Sequence, residues 1–111
     1  MPTEDTPKIQ NYKVKNIESV VIGSDVQARV FTLAPADVIP WHYHSECTDH
    51  YFVLKGVLTI ETRNPETFHS LRIGDRHQIK PDTAHLLANR GAEDCDFLLV
   101  QGPGKYDWIK S

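Results

Sequence analysis

The chain has 111 residues, 40% of them hydrophobic and 24% charged, with a formal charge of -3 at neutral pH. That length holds one domain with one core, and the composition excludes a disordered chain. A weakly acidic balance with no basic run excludes a protein built to grip nucleic-acid phosphates.

In chain order, the first seven residues, Met1 to Pro7, are polar and acidic. They have neither the basic start nor the apolar run of a secretory signal. The chain then breaks into short apolar runs divided by turn residues. Glu18–Ile22 ends at Gly23-Ser24-Asp25. Val26–Ala34 alternates, with Ala28, Val30 and Thr32 on one face and Arg29, Phe31 and Leu33 on the other. Val38–His44 follows Pro35-Ala36-Asp37, and Asp49–Lys55 ends at Gly56. Val57–Arg63 ends at the turn Asn64-Pro65-Glu66. Thr67–Ile73 ends at Gly74-Asp75. Gln78–Lys80, Ala84–Ala88 and Asp96–Gln101 complete the set before Gly102-Pro103-Gly104. No apolar stripe at helical spacing persists, and many short strands predict an all-β sandwich or barrel.

No apolar run approaches the ~20 residues that cross a bilayer, so no membrane is expected. The cysteines, Cys47 and Cys95, form no CxxC motif and are too few for a disulfide framework. A cytoplasmic protein with reduced thiols is the expectation. Lys105-Tyr106-Asp107-Trp108-Ile109 carries too much apolar area for a free tail, and is expected to pack on the barrel or a partner.

Of the 6 histidines, His42, His44 and His50 fall close together. Residues two apart on a strand share a face, about 6.5–7 Å apart. His42 and His44 therefore aim one way, and two imidazoles on one face can converge on an ion. A third ligand must come from elsewhere, with His85 on a separate strand a candidate. Glu46 and Asp49 are the nearby carboxylates. His50 is expected to face away from Asp49, and His69 to be exposed. His77 starts a short strand and is expected at the surface, with the pocket mouth as the alternative. Tyr51 shares the face of Asp49, and Gln101 is an oddly polar strand end. Both are candidate cavity residues.

Residues 40–56, PWHYHSECTDHYFVLKG, resemble the first motif of the cupin superfamily. His42, His44, Asp49 and Gly56 fall on its two histidines, carboxylate and glycine. Residues 74–89, GDRHQIKPDTAHLLAN, resemble the second motif through Gly74, His85 and Asn89. The departures are Asp49 where glutamate is usual, Lys80 where proline is usual, and Asp82 where glycine is usual.

The resemblance implies a single antiparallel jelly-roll barrel over about residues 15–102, with arms at 1–14 and 103–111. It implies one divalent transition metal ion (Fe, Mn, Ni, Cu or Zn) held by His42, His44, Asp49 and His85. A small-molecule ligand or substrate would bind beside it, near Tyr51 and Gln101. Dioxygenase-like chemistry is the leading expectation. Isomerisation or decarboxylation at a non-redox metal, a metal-free epimerase-like reaction, and a non-enzymatic binding or sensing module are the alternatives. Small cupins usually pair, so a homodimer is expected.

Overall fold

A computed structural model describes residues 12–111; the arm before Tyr12 lies outside the described residues. Ten strands follow one another: β1 (Asn16–Ile22), β2 (Gln27–Leu33), β3 (Val38–Tyr43), β4 (Asp49–Lys55), β5 (Leu58–Thr62), β6 (Thr67–Leu71), β7 (Arg76–Ile79), β8 (His85–Ala88), β9 (Cys95–Gln101) and β10 (Ile109–Lys110). They form two antiparallel five-stranded sheets, ordered β1-β2-β9-β4-β7 and β10-β3-β8-β5-β6. The all-β jelly roll expected from the sequence is the fold. Among the described residues no helix is long and apolar enough to cross a membrane.

Strict alternation decides which side chains fill the barrel. On β9, Cys95, Phe97, Leu99 and Gln101 are buried, and the residues between them are half-buried. On β2, Arg29, Phe31 and Leu33 point inward, and on β4 Asp49, Tyr51 and Val53 do. The opposite sheet answers with Ile39, Leu58, Ile60 and Leu87. Phe31 and Phe97, opposed in the β2–β9 register, stack with centroids 5.2 Å apart.

Turn residues fix the ends of the strands. Gly56 has a φ of 74°, and a Cβ there would meet the carbonyl oxygen of Asp94 at 2.5 Å. Asp82, in place of a glycine, adopts a φ of 64°, a conformation aspartate tolerates better than most residues. Its amide donates to the carbonyl of His44 at 2.8 Å, tying the two motifs together. Asn89 holds a bend: its Nδ2 donates to Leu33 O and Glu93 O, and its Oδ1 accepts from Gly91.

The tail packs on the barrel, as its apolar content requires. β10 adds to β3 at the edge of the second sheet, pairing Ile109 with Tyr43 and Lys110 with His42. His50 is half-buried with its ring 3.2 Å from the Gly102 carbonyl. His69 departs from expectation. It is half-buried, because β6 and β7 are the edges of the two sheets and its ring meets His77 across them at 4.2 Å. Cys47 and Cys95 are buried free thiols, each pushed up to about 12, chiefly by burial.

Candidate metal centre

The β3–β8 register sets His42 directly opposite His85. His44 follows two residues after His42, just beyond the end of β3, on the same side. All three are buried, at 3%, 3% and 0% exposure. One ring nitrogen from each lies within 4.8 Å of the others, and among the described residues these three form the cluster able to hold an ion. Asp49 enters from β4 in the facing sheet. Its Oδ2 lies 3.2 Å from Nε2 of both His44 and His85.

The hydrogen bonds fix the tautomers. Each Nδ1 faces a backbone carbonyl: His42 that of Pro40 at 2.8 Å, His44 that of Asp107 at 2.5 Å, and His85 that of Thr83 at 2.8 Å. A carbonyl only accepts, so each Nδ1 carries the proton. That leaves each neutral ring with its Nε2 lone pair. Two such lone pairs within 3.2 Å of a carboxylate oxygen repel it unless a cation lies between. The cation is a proton or a metal ion. Two donors bound to one ion at about 2.0–2.2 Å lie roughly 3–3.4 Å apart; the two Asp49 contacts fall in that range, which an N–H···O bond also reaches, while the three ring nitrogens are spread over as much as 4.8 Å. His85 Nε2 has no hydrogen-bond partner among the described residues.

Burial, reinforced by neighbouring His85 and His44, pushes His42 down to about 3. Burial also opposes charging of His44, but the bond and charge of Asp49 outweigh it and raise its pKa. Burial alone would raise Asp49. The His44 and His85 contacts overcome it and hold the carboxyl well below the ordinary 3.8.

Tyr51 and Gln101 sit in the same cavity wall. The Tyr51 hydroxyl donates to Asp49 Oδ2 at 2.6 Å, and Gln101 Nε2 donates to Asp49 Oδ1 at 3.0 Å. Gln101 Oε1 accepts from Arg29 and Gln27 at 2.8 and 2.9 Å. Glu46, exposed, and Cys47 are not in the three-histidine cluster.

Sequence reasoning did not single out Arg29 or the cover of the cavity. Trp108 stacks on His42 at 4.9 Å and 17°, and Tyr106 lies 5.5 Å from His44. Tyr12 meets Trp108 at 5.9 Å. Asp107 latches the segment: its carboxylate accepts from the amide of Ser45 at 2.8 Å and from the Ser45 hydroxyl. The enclosed space is about 10 Å3, room for an ion or a single water. One signal for Arg29 was present: alternation put it on the face of Phe31 and Leu33.

The Cupin_2 family, described as a cupin domain, matches residues 29–101. No curated protein sequence matches. Among solved structures, a conserved protein with a double-stranded β-helix domain from Klebsiella pneumoniae is 26% identical, with a TM-score of 0.75 over 84% of this chain and 75% of that one. An oxalate oxidase in complex with the substrate analogue glycolate is 18% identical, with a TM-score of 0.75 over 87% of this chain and 59% of that one. The formate complex of Lactobacillus farciminis oxalate decarboxylase is 20% identical, with a TM-score of 0.71 over 78% of this chain and 27% of that one. This chain therefore spans less than two thirds of each of the two oxalate enzymes, and at those identities the likeness shows the fold.

Proposed function

The chain belongs to the cupin domain family, and from that premise we propose that it is a mononuclear metal enzyme acting on a small organic molecule. His42, His44 and His85 hold one divalent transition metal ion through Nε2, and Asp49 supplies the fourth donor. The observation that carries this reading is the pair of 3.2 Å contacts between Asp49 and two imidazoles whose Nδ1 protons are already committed. Three neutral nitrogens and one carboxylate suit iron, manganese, nickel, copper or zinc.

A bound ion would supply Lewis acidity or, if redox-active, oxygen chemistry. The protein's own residues do the rest. The Pro40, Thr83 and Asp107 carbonyls hold the imidazoles in one tautomer and raise their basicity. Tyr51 and Gln101 hold the Asp49 carboxylate in place. Tyr106 and Trp108 exclude water. Dioxygenase-like chemistry on a chelating molecule is the reaction class proposed. The same residues would serve isomerisation or decarboxylation on a non-redox metal. The closed cavity also fits a second reading, a binding module that retains its ligand.

Metal analysis of purified wild type, His42→Ala and His85→Ala tests the site. Near-stoichiometric metal in wild type and its loss in the variants is expected. Equal metal in all three overturns the reading. Oxygen uptake with small phenols, diketones and thiols then separates enzyme from binder.

For assembly, the reading is a homodimer through β1. This edge strand is exposed along its length, and Val20, Val21 and Ile22 are 58–63% exposed. Light scattering on wild type and Val21→Glu checks it, a dimer that the charge splits being the expected result. The two free buried cysteines fit a cytoplasmic setting.

A further inference from the structure

A metal ion does not account for Arg29. Its side chain is 6% exposed and lines the cavity with His42 and His44. A guanidinium stays charged in a protein, and a buried charge is costly unless paired. Among the described residues no carboxylate pairs with it. Nη2 donates to the neutral amide oxygen of Gln101 at 2.8 Å. Nε has no partner among the described residues.

The nearby buried carboxylate is already engaged. Asp49 receives Tyr51 and Gln101 and stands against two histidines. Gln101 lies between the two charges, with Oε1 toward Arg29 and Nε2 toward Asp49, so its amide cannot turn without opposing both. The rings of Phe31 and Tyr106, with centroids 5.0 and 5.3 Å from the guanidinium carbon, hold Arg29 in place without using its donors. A cation whose Nε–H has no partner among the described residues therefore stands in the wall. With the proposed divalent ion bound, Arg29 and Asp49 leave the site two positive charges in excess.

We propose that Arg29 anchors the carboxylate of the molecule this site takes, which makes its substrate class small organic carboxylates able also to ligate the ion. The inference rests on the metal reading for the second half of that description, but not for the anchor. A guanidinium matches a planar carboxylate through paired N–H donors. The space beside Arg29 holds no more than an ion or a single water while Tyr106 and Trp108 cover it, so a carboxylate enters only when that cover is displaced. Entry requires the half-buried Tyr106, which lies against Arg29, to move aside.

The test compares acetate with acetamide, its neutral isostere, by two-dimensional 1H–15N spectra that include arginine Nε–H groups. Metal-free and zinc-treated wild type, Arg29→Lys and Arg29→Gln are titrated. Acetate is expected to shift the Arg29 Nε–H resonance saturably, and acetamide to leave it unmoved. Arg29→Gln should weaken acetate binding, read at the Trp108 Nε1–H resonance, by about tenfold or more, with Arg29→Lys in between. Equal shifts from both probes, no saturable shift in either metal state, or acetate bound equally tightly by Arg29→Gln would overturn the anchor. The wild-type comparison needs no variant and decides the matter if a variant fails to fold. Acetate binding without zinc uptake would sink the metal reading and leave the anchor standing. Zinc uptake without acetate binding would do the reverse.

Discussion

Along β9 the inward side chains run Cys95, Phe97, Leu99 and Gln101, and the barrel changes character between the last two. Toward Cys95 the interior is apolar: Leu33, Phe31 and Phe97 of one sheet lie against Leu58, Ile60 and Leu87 of the other. Toward Gln101 it is polar, with Gln101 opposite Asp49 on one side and Gln27 on the other. There the facing sheet supplies His42 and His85. The strands and their alternation are shared, so the difference lies in side-chain chemistry. Apolar burial stabilises one end whatever the solution contains. The other end buries groups whose stability depends on protons and ions. The fold and the site are therefore separable by experiment.

The largest expected effect is at the apolar end. Phe97→Ala should cost about 3–5 kcal/mol in denaturant unfolding, because it empties a fully buried ring site. The loss should be the same with and without metal. At the polar end His85→Ala should abolish the gain that zinc gives wild type, about 2.7 kcal/mol at a hundredfold excess over Kd. If His85→Ala keeps that gain, the division between the ends fails.

Acid should then separate the ends in metal-free protein. His42 titrates at about 3 when folded and near 6.5 when unfolded. Between those values the unfolded chain binds a proton that the native state refuses, so stability falls as pH drops from 6.5 toward 3. The loss is a few kcal/mol at most, on the scale of about 1.4 kcal/mol per pH unit. Below 3.8 the depressed Asp49 adds loss in the same direction. The raised His44 contributes stability that is present below 6.5 and lost as pH rises through its folded value, so its effect lies on the alkaline side. Urea unfolding across pH, with His42→Gln flattening the acid limb, checks the sign.

The smallest effect is at the latch. Asp107→Ala removes the Ser45 bonds while keeping the carbonyl that orients His44. A loss of about 0.5–1.5 kcal/mol is expected, with metal still bound.

The sequence made the barrel legible because alternation and turn chemistry are local. Asp49–Lys55 matches β4 residue for residue, and Asn64-Pro65 does lie at the β5–β6 turn. The convergence of His42, His44 and His85 was legible only through the paired motifs, since no local rule sets β3 beside β8. The His69–His77 contact was not, because it joins edges of different sheets. Arg29 shows a different limit. Its inward face followed from alternation, but nothing in neighbouring residues says whether a buried cation has found its counter-charge. Trp108 was marked as apolar and adherent, yet its seat over His42 depends on β10 reaching β3.

The hydrogen bond from His44 to the Asp107 carbonyl spans 63 residues of chain, and this bears on the order of biosynthesis. A ribosome delivers His42, His44 and Asp49 early, His85 later, and the orienting carbonyl and the Trp108 cover later still. A nascent chain stopped at Gln101 would own every proposed donor, with one imidazole still free to turn.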